Sequence, residues 1–202
     1  MRLFLAAEIG ERLAGRAADL VRELKKRTAD AAPRARLTWL TADRLHITLR
    51  FIGEVDDDRA AAIVAALQPP LDVEAFDLTL AGMGAFPKNG PLRVLWVGIG
   101  QGADDLITAE REISSRLTTL AVPPEGRPYS PHLTLARVRE ATGLRSASLF
   151  EGFEDQPLGT TRIDAITLFQ SRLSPKGSTY VPLLRTALRQ ADLKVRLYDT
   201  AT

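Results

Sequence analysis

The chain contains two histidines, His46 and His132, and both open the same four-residue string, His-x-Thr-Leu. The first copy reads "LHITLRFIG" from Leu45 and the second "PHLTLARVR" from Pro131. Side chains alternate along a strand. His46, Thr48 and Arg50 are therefore expected on one face, with Ile47, Leu49 and Phe51 on the other. In the second copy His132, Thr134 and Ala136 share a face, and Leu133 and Leu135 take the opposite one. Each strand would give an apolar face to a core and present one imidazole and one hydroxyl on its other side. An imidazole titrates near pH 6.5, so around neutrality a neutral ring can take a proton from water while a protonated one gives a proton to a leaving oxygen. Threonine hydroxyls can donate to non-bridging phosphate oxygens and hold a phosphorus between the rings. If the two faces meet across a cleft, the set suits in-line displacement at phosphorus without a metal. The competing reading is a pair of structural histidines, with Thr simply common in strands. At this chain's Thr and Leu frequencies, chance alone would place both histidines in the string on the order of one time in 10⁴, so the catalytic reading leads.

The elements that position these strings follow from periodicity. Residues 2–9, "RLFLAAEI", read as a buried strand, and 11–27 as an amphipathic helix with Leu13, Ala17, Leu20, Val21 and Leu24 on one face. A short strand at 36–40, a turn at 41–44 and the first motif strand at 45–51 follow. Asp56 to Asp58 cap a helix that reaches about Leu67, and Pro69 and Pro70 stop it. Strands at 74–83 and 92–99 flank a loop containing "FPKNGP". Asp104 opens a helix with Leu106, Ala109, Ile113, Leu117 and Leu120 spaced for one face. After "VPPEGRPYSP" come the second motif strand at 132–138, a short helix near 144–151, and strands at 161–172 and 178–186. The polar tail at 191–202 is expected to be mobile. The order motif strand, helix, strand, strand occurs twice, 86 residues apart (from 46 to 132), and reads as an internal duplication. The expected fold is α+β: one bilobal domain over 1–190, with two similar lobes of mainly antiparallel sheet related by a pseudo-twofold. A cleft lies at the centre and the helices lie outside.

Composition narrows the function classes. With no cysteine there is no disulfide framework, no thiolate nucleophile and no Cys-based zinc site. Two histidines without a neighbouring carboxylate make a poor zinc or iron site, so neither a metal nor another cofactor is expected. Lys and Arg number 27 against 25 Asp and Glu, a net charge of +2. Any anionic partner must then be held by a local cluster, which argues against general nucleic-acid packaging. No apolar run reaches the roughly 20 residues that span a membrane. Glu8 interrupts the short apolar start, unlike a signal peptide. A cytoplasmic monomer is the default expectation.

The blocks around both strings resemble the two-histidine phosphoesterases, and within them the bacterial and archaeal RNA 2′,3′-cyclic phosphodiesterases, also called 2′-5′ RNA ligases. The resemblance covers nearly the whole chain. It rests on "RLFLAAEI", on "LTWLTADRLHITLRFIGEV" with Trp39 and Gly53, and on "RVLWVGI". It continues through "RPYSPHLTLAR" with Tyr129, Pro131 and Arg137, and "LFQSRLSPKGSTYVPL" with Ser171, Leu173, Gly177 and Tyr180. The resemblance implies two α+β lobes around a cleft, and a substrate RNA ending in a 2′,3′-cyclic phosphate. Water would open that phosphate to a 2′-phosphomonoester without a metal. It also implies that His46 is the acid on the departing 3′ oxygen, that His132 is the base on water, and that Thr48 and Thr134 hold phosphate oxygens.

Neighbouring residues extend the candidate site. Arg137 is the natural charged partner for the phosphate, yet alternation puts it on the face opposite His132 unless a bulge or its long side chain brings it round; a surface salt bridge competes evenly. Arg50 has the parity of His46, with a rim charge as its rival reading. Arg127, Lys88 and Lys176 sit in loops and could track an RNA backbone, although solvated loop charges are the better reading. Tyr129 is a candidate to stack on a base, whereas Phe51 is expected in the core. Trp39 and Trp96 are expected in the core, with Trp39 near enough to the first motif to line the cleft. Besides a related enzyme for a different cyclic phosphate, such as a small cyclic nucleotide, two rival functions remain. One is ligation at the same site, a ribose 5′-OH replacing water, which at about 55 M normally outcompetes it. The other is a non-catalytic RNA-end binder, which would not need two titrating groups.

Overall fold

A computed structural model of the protein describes residues 1–123, 125–154, 156–174 and 177–190. Lys176 and the tail expected over 191–202 lie outside the described residues. β1 (Arg2–Glu8) buries five successive residues, as a central strand covered on both faces must. α1 (Gly10–Ala31) buries Leu13, Ala17, Leu20, Val21, Leu24 and Thr28 along one stripe. It runs a turn beyond the span expected from periodicity and ends at Ala32, because the residue before a proline is steered away from helical backbone. β2 (Arg36–Trp39) leads through a 3-10 turn at Ala42–Arg44 into the first motif strand, β3 (His46–Glu54). α2 (Asp57–Leu67) is capped by Asp56, whose carboxylate accepts from the Arg59 N–H at 2.8 Å. β4 (Leu71–Glu74), β5 (Phe76–Phe86), β6 (Val94–Gln101) and α3 (Ala103–Thr118) precede the second motif strand, β7 (Leu133–Glu140). α4 (Ser146–Phe150), β8 (Pro157–Ile163), β9 (Ala165–Ser174) and β10 (Gly177–Arg189) complete the order.

The strands lie in the order β4-β10-β9-β1-β3-β7-β6-β5-β8, with β2 also beside β7. Only the β10–β4 pairing is parallel among the described residues. The two motif strands meet at the centre, where Ile47 pairs with Leu133. Outward from that junction the order is β1 then β9 on one side, and β6 then β5 on the other. α2 and α3 cover the His46 half, and α1 and α4 cover the His132 half. A continuous aliphatic core runs beneath both halves, and a small aromatic cluster of Phe4, Phe169 and Tyr180 with Ala6 occupies the other face of β1.

The duplication is interleaved in space, not laid out as two consecutive lobes. Segment 71–86 begins in the His46 half as β4 and continues after Ala75 in the His132 half as β5. Segment 157–174 makes the opposite crossing, from β8 to β9, at Asp164. The single strand expected over 161–172 is thus two strands in different halves of the sheet. Asp164 fixes the break, with its carboxylate on Arg185 at 2.5 Å and its carbonyl accepting from the Leu188 N–H at 2.8 Å. Buried residues continue on both sides of it, Ile163 and then Ala165 and Ile166, so apolar patterning runs through unbroken.

Candidate active site

The pair Ile47–Leu133 organises the centre. Both side chains are fully buried in the aliphatic core. One residue further in each direction, the antiparallel register sets His46 opposite Thr134 and Thr48 opposite His132, on the face away from that core. The two imidazoles and two hydroxyls expected from the sequence therefore share one face. His46, Thr48 and Thr134 line a cleft of about 790 Å³, together with Phe51, Arg137 and Tyr180. His132 stands beside this lining, its ring edge-on to Phe86 at 5.2 Å and 6.1 Å from Trp96. Trp96 in turn packs on Gly84, where a β-carbon would overlap the indole.

Both rings are held in the same way. His132 Nδ1 lies 2.7 Å from the Ser130 carbonyl oxygen. A carbonyl only accepts, so Nδ1 carries the hydrogen and Nε2 is left for chemistry. His46 bonds the backbone of Arg44, again two residues upstream. Its ring packs 5.1 Å from Phe4 and stands edge-on to Tyr180 at 5.2 Å. Burial is the main cause that lowers the His46 pKa from 6.5 to about 4; the Arg44 bond opposes this and the Arg137 charge adds to it. His132 is lowered by the same causes in the same order, with Ser130 in place of Arg44. Both shifts favour the neutral imidazole at pH 7, and one guanidinium, Arg137, is felt by both.

Strict alternation fails at the same point in both motifs. On β3, Ala6 pairs with Thr48 and Leu5 with Arg50, which leaves Leu49 as an extra residue. On β7, Trp96 pairs with Thr134 and Leu95 with Ala136, which leaves Leu135 extra. A β-bulge at the leucine of each string reverses the facing of the residues next after it, Arg50 and Phe51 on β3 and Ala136 and Arg137 on β7. Phe51, expected in the core, comes round to the cleft and is 52% exposed. Arg137 comes round by the same step and lines the cleft near Thr134. Arg50, which alternation puts beside His46, goes to the back instead and is 2% exposed. There it pairs with Glu110 at 3.6 Å and donates to the Pro123 carbonyl. Arg50→Ala strands a largely buried carboxylate, and is expected to destabilise the fold by about 3–5 kcal/mol, read as a lower urea midpoint.

Tyr129 does not reach the cleft. The loop before the second motif is pinned to the back of β3, where the Phe51 N–H donates to Glu125 at 3.1 Å and Arg50 holds Pro123. Tyr129 therefore faces a separate pocket with Arg50, Glu110 and Arg127. Burial, then Glu110 and Glu125, push its hydroxyl pKa upward. Lys88 lines another pocket, with Arg145. Trp39 does line the cleft, next to Thr38, the strand partner of Arg137. Sequence reasoning missed Arg2, Arg44 and Arg139 as lining residues. For Arg44 a signal existed: it precedes His46 by the same two positions as Ser130 precedes His132. Among the described residues no group of three or more His, Cys, Asp or Glu is placed to hold a metal. Among the same residues no helix is long and apolar enough to cross a membrane.

The chain is similar to known proteins along most of its length. An RNA 2′,3′-cyclic phosphodiesterase of Aeropyrum pernix is 39% identical over 142 residues, which is 70% of this chain and 80% of that protein. A crystal structure of a Thermus thermophilus protein superposes with a TM-score of 0.72 at 25% identity, over 95% of this chain and 100% of its own. Escherichia coli LigT complexed with 3′-AMP superposes with a TM-score of 0.68 at 26% identity, over 94% and 98%. The family model for the 2′-5′ RNA ligase superfamily matches residues 13–174, both motif strands included. The chain belongs to the 2′-5′ RNA ligase superfamily.

Proposed function

We propose that the protein is an RNA 2′,3′-cyclic phosphodiesterase that opens the cyclic phosphate to a 2′-phosphomonoester. The observation that supports it most is the shared face of His46, Thr48, His132 and Thr134, set by the Ile47–Leu133 pair. The A. pernix relative bears this activity as its name, and the E. coli structure holds a nucleotide. In this reading Thr48, Thr134 and Arg137 hold the phosphate oxygens, and Tyr129, placed behind the sheet, takes no part in binding. His132 takes a proton from water at Nε2, the atom its Ser130 bond leaves available. The hydroxide forms the new bond to phosphorus, the bond from phosphorus to O3′ breaks, and His46 gives O3′ its proton. Burial, and to a lesser degree the Arg137 charge, disfavours that proton on His46, and a phosphate anion bound beside the ring favours it. Phe51 offers an exposed ring for a base. The cleft is complete within one chain, which suits a monomer acting on cytoplasmic RNA.

The test is purified protein with a short oligonucleotide ending in a 2′,3′-cyclic phosphate, in excess EDTA. The expected product resists a 3′-specific phosphatase, and its rate is unchanged by the chelator, because both proton transfers belong to side chains. Absence of turnover by folded protein would overturn the reading.

A further inference from the structure

The proposed reaction puts one negative charge in the cleft, and Arg137 is placed to balance it. The lining also holds Arg2, Arg44 and Arg139, and among its described residues no Asp or Glu. Such a surplus of positive charge fits a ligand with more than one phosphate. At about 790 Å³ the cleft has room for far more than the reacting group. Arg2 and Arg139 are exposed, whereas Arg44 is half-buried.

Arg44 has a prepared seat. It closes the 3-10 turn two residues before His46, and its guanidinium lies over Gly177 at the start of β10. A β-carbon on Gly177 would stand 2.6 Å from Arg44 Nη1 and 3.0 Å from Nη2. Gly177 also has φ +114°, a conformation that side chains disfavour. The backbone thus clears the space the guanidinium occupies. This seat is on the wall with Ser178 and Tyr180, while Arg137 comes from β7 on the other side of the central junction. A pre-placed arginine fork suits a second phosphate, and Arg137 already serves the first.

Resting on the phosphodiesterase reading, we propose that Arg44 binds the phosphate on the 5′ side of the terminal nucleotide, and so makes the enzyme prefer RNA ends to mononucleoside 2′,3′-cyclic phosphates. Three probes separate the contributions. They are cytidine 2′,3′-cyclic phosphate, the same compound with a 5′-phosphate, and a dinucleotide ending in cytidine 2′,3′-cyclic phosphate. Wild type is expected to prefer both 5′-phosphorylated probes in kcat/KM. Arg44→Gln is expected to cut that preference by about 10–100-fold, the worth of a charge-assisted hydrogen bond, chiefly through KM. Gly177→Ala, which unseats the guanidinium without removing it, is expected to act in the same direction. If Arg44→Gln slows all three probes alike, with the preference intact, Arg44 serves only to hold His46 and the proposal fails. If wild type prefers only the dinucleotide, the extra nucleoside is what is read, and the proposal also fails. If wild type turns over none of the three, the phosphodiesterase reading itself falls, and this proposal with it.

Discussion

His46→Ala and His132→Ala are each expected to lower kcat for opening the cyclic phosphate by about 10³-fold, the middle of the range for a placed general acid or base. The double variant should be little worse than either single one, because the two proton transfers belong to one concerted displacement and their losses do not add. The two roles can be told apart by the leaving group. Sulfur in place of the 3′ oxygen departs without needing a proton. A 3′-thio cyclic substrate should therefore restore much of the rate to the variant lacking the acid, and little to the one lacking the base. Restoration in His46→Ala assigns that ring as the acid; restoration in His132→Ala reverses the roles. Losses under tenfold in both variants, with folding intact by circular dichroism, would make the histidines structural. Folding is a necessary control for His46, whose ring packs on Phe4 and Tyr180.

Arg137→Gln is expected to lower kcat/KM by about 10²–10³-fold, because it removes the guanidinium proposed to hold the phosphate. It should also raise the pKa of both histidines, since a nearby positive charge disfavours imidazolium and the same arginine depresses each ring. Neither should return fully to 6.5, because burial is the larger cause in both. The chain has two histidines, so a proton NMR titration yields two Hε1 signals, one per ring, and reads both shifts at once. The same depression sets the pH profile. Catalysis needs one ring protonated and one neutral. With both free-protein pKa values below 6.5, the kcat/KM optimum is expected on the acid side of 6.5. The optimum for kcat should lie at higher pH, because a bound anion raises both rings. Arg137→Gln moves the kcat/KM optimum upward. A wild-type kcat/KM optimum above about pH 7 would show that the rings are not depressed in solution.

The reactive groups were legible from the chain because they depend on residue type and short spacing. His46, Thr48, His132 and Thr134 share a face by the period-two rule, which holds up to the fourth residue of each string. What followed was not legible. Leu49 and Leu135 look like ordinary inward-facing leucines, and nothing in their identity marks an extra residue in a ladder. The bulge depends on how β1 and β6 pair with them, which is a property of distant segments. Alternation alone therefore puts Phe51 and Arg50 on the wrong faces and leaves Arg137 undecided between faces. The crossings at Ala75 and Asp164 were hidden for a related reason. Both sides of each crossing face buried environments, so hydrophobic pattern does not change where the chain leaves one half of the sheet for the other. Tyr129 was misplaced because its loop is fastened by Arg50 and Glu125, two charges whose partners lie more than 70 residues away.

A twofold scaffold has no direction of its own, but a nucleic acid strand does. Were two identical chains joined at the Ile47–Leu133 pair, the residue five places after each histidine would be the same on both sides. A terminal nucleotide could then lie in the cleft either way round at equal energy, and water could displace O2′ as readily as O3′. Because one continuous chain carries both halves, the two bulges deliver unlike groups, a phenyl ring at Phe51 and a guanidinium at Arg137. Under the proposed function, a nucleotide would then have one favoured polarity, with one of its two ring P–O bonds in line with the attacking water. The regiochemistry of the product would follow from these two unlike side chains.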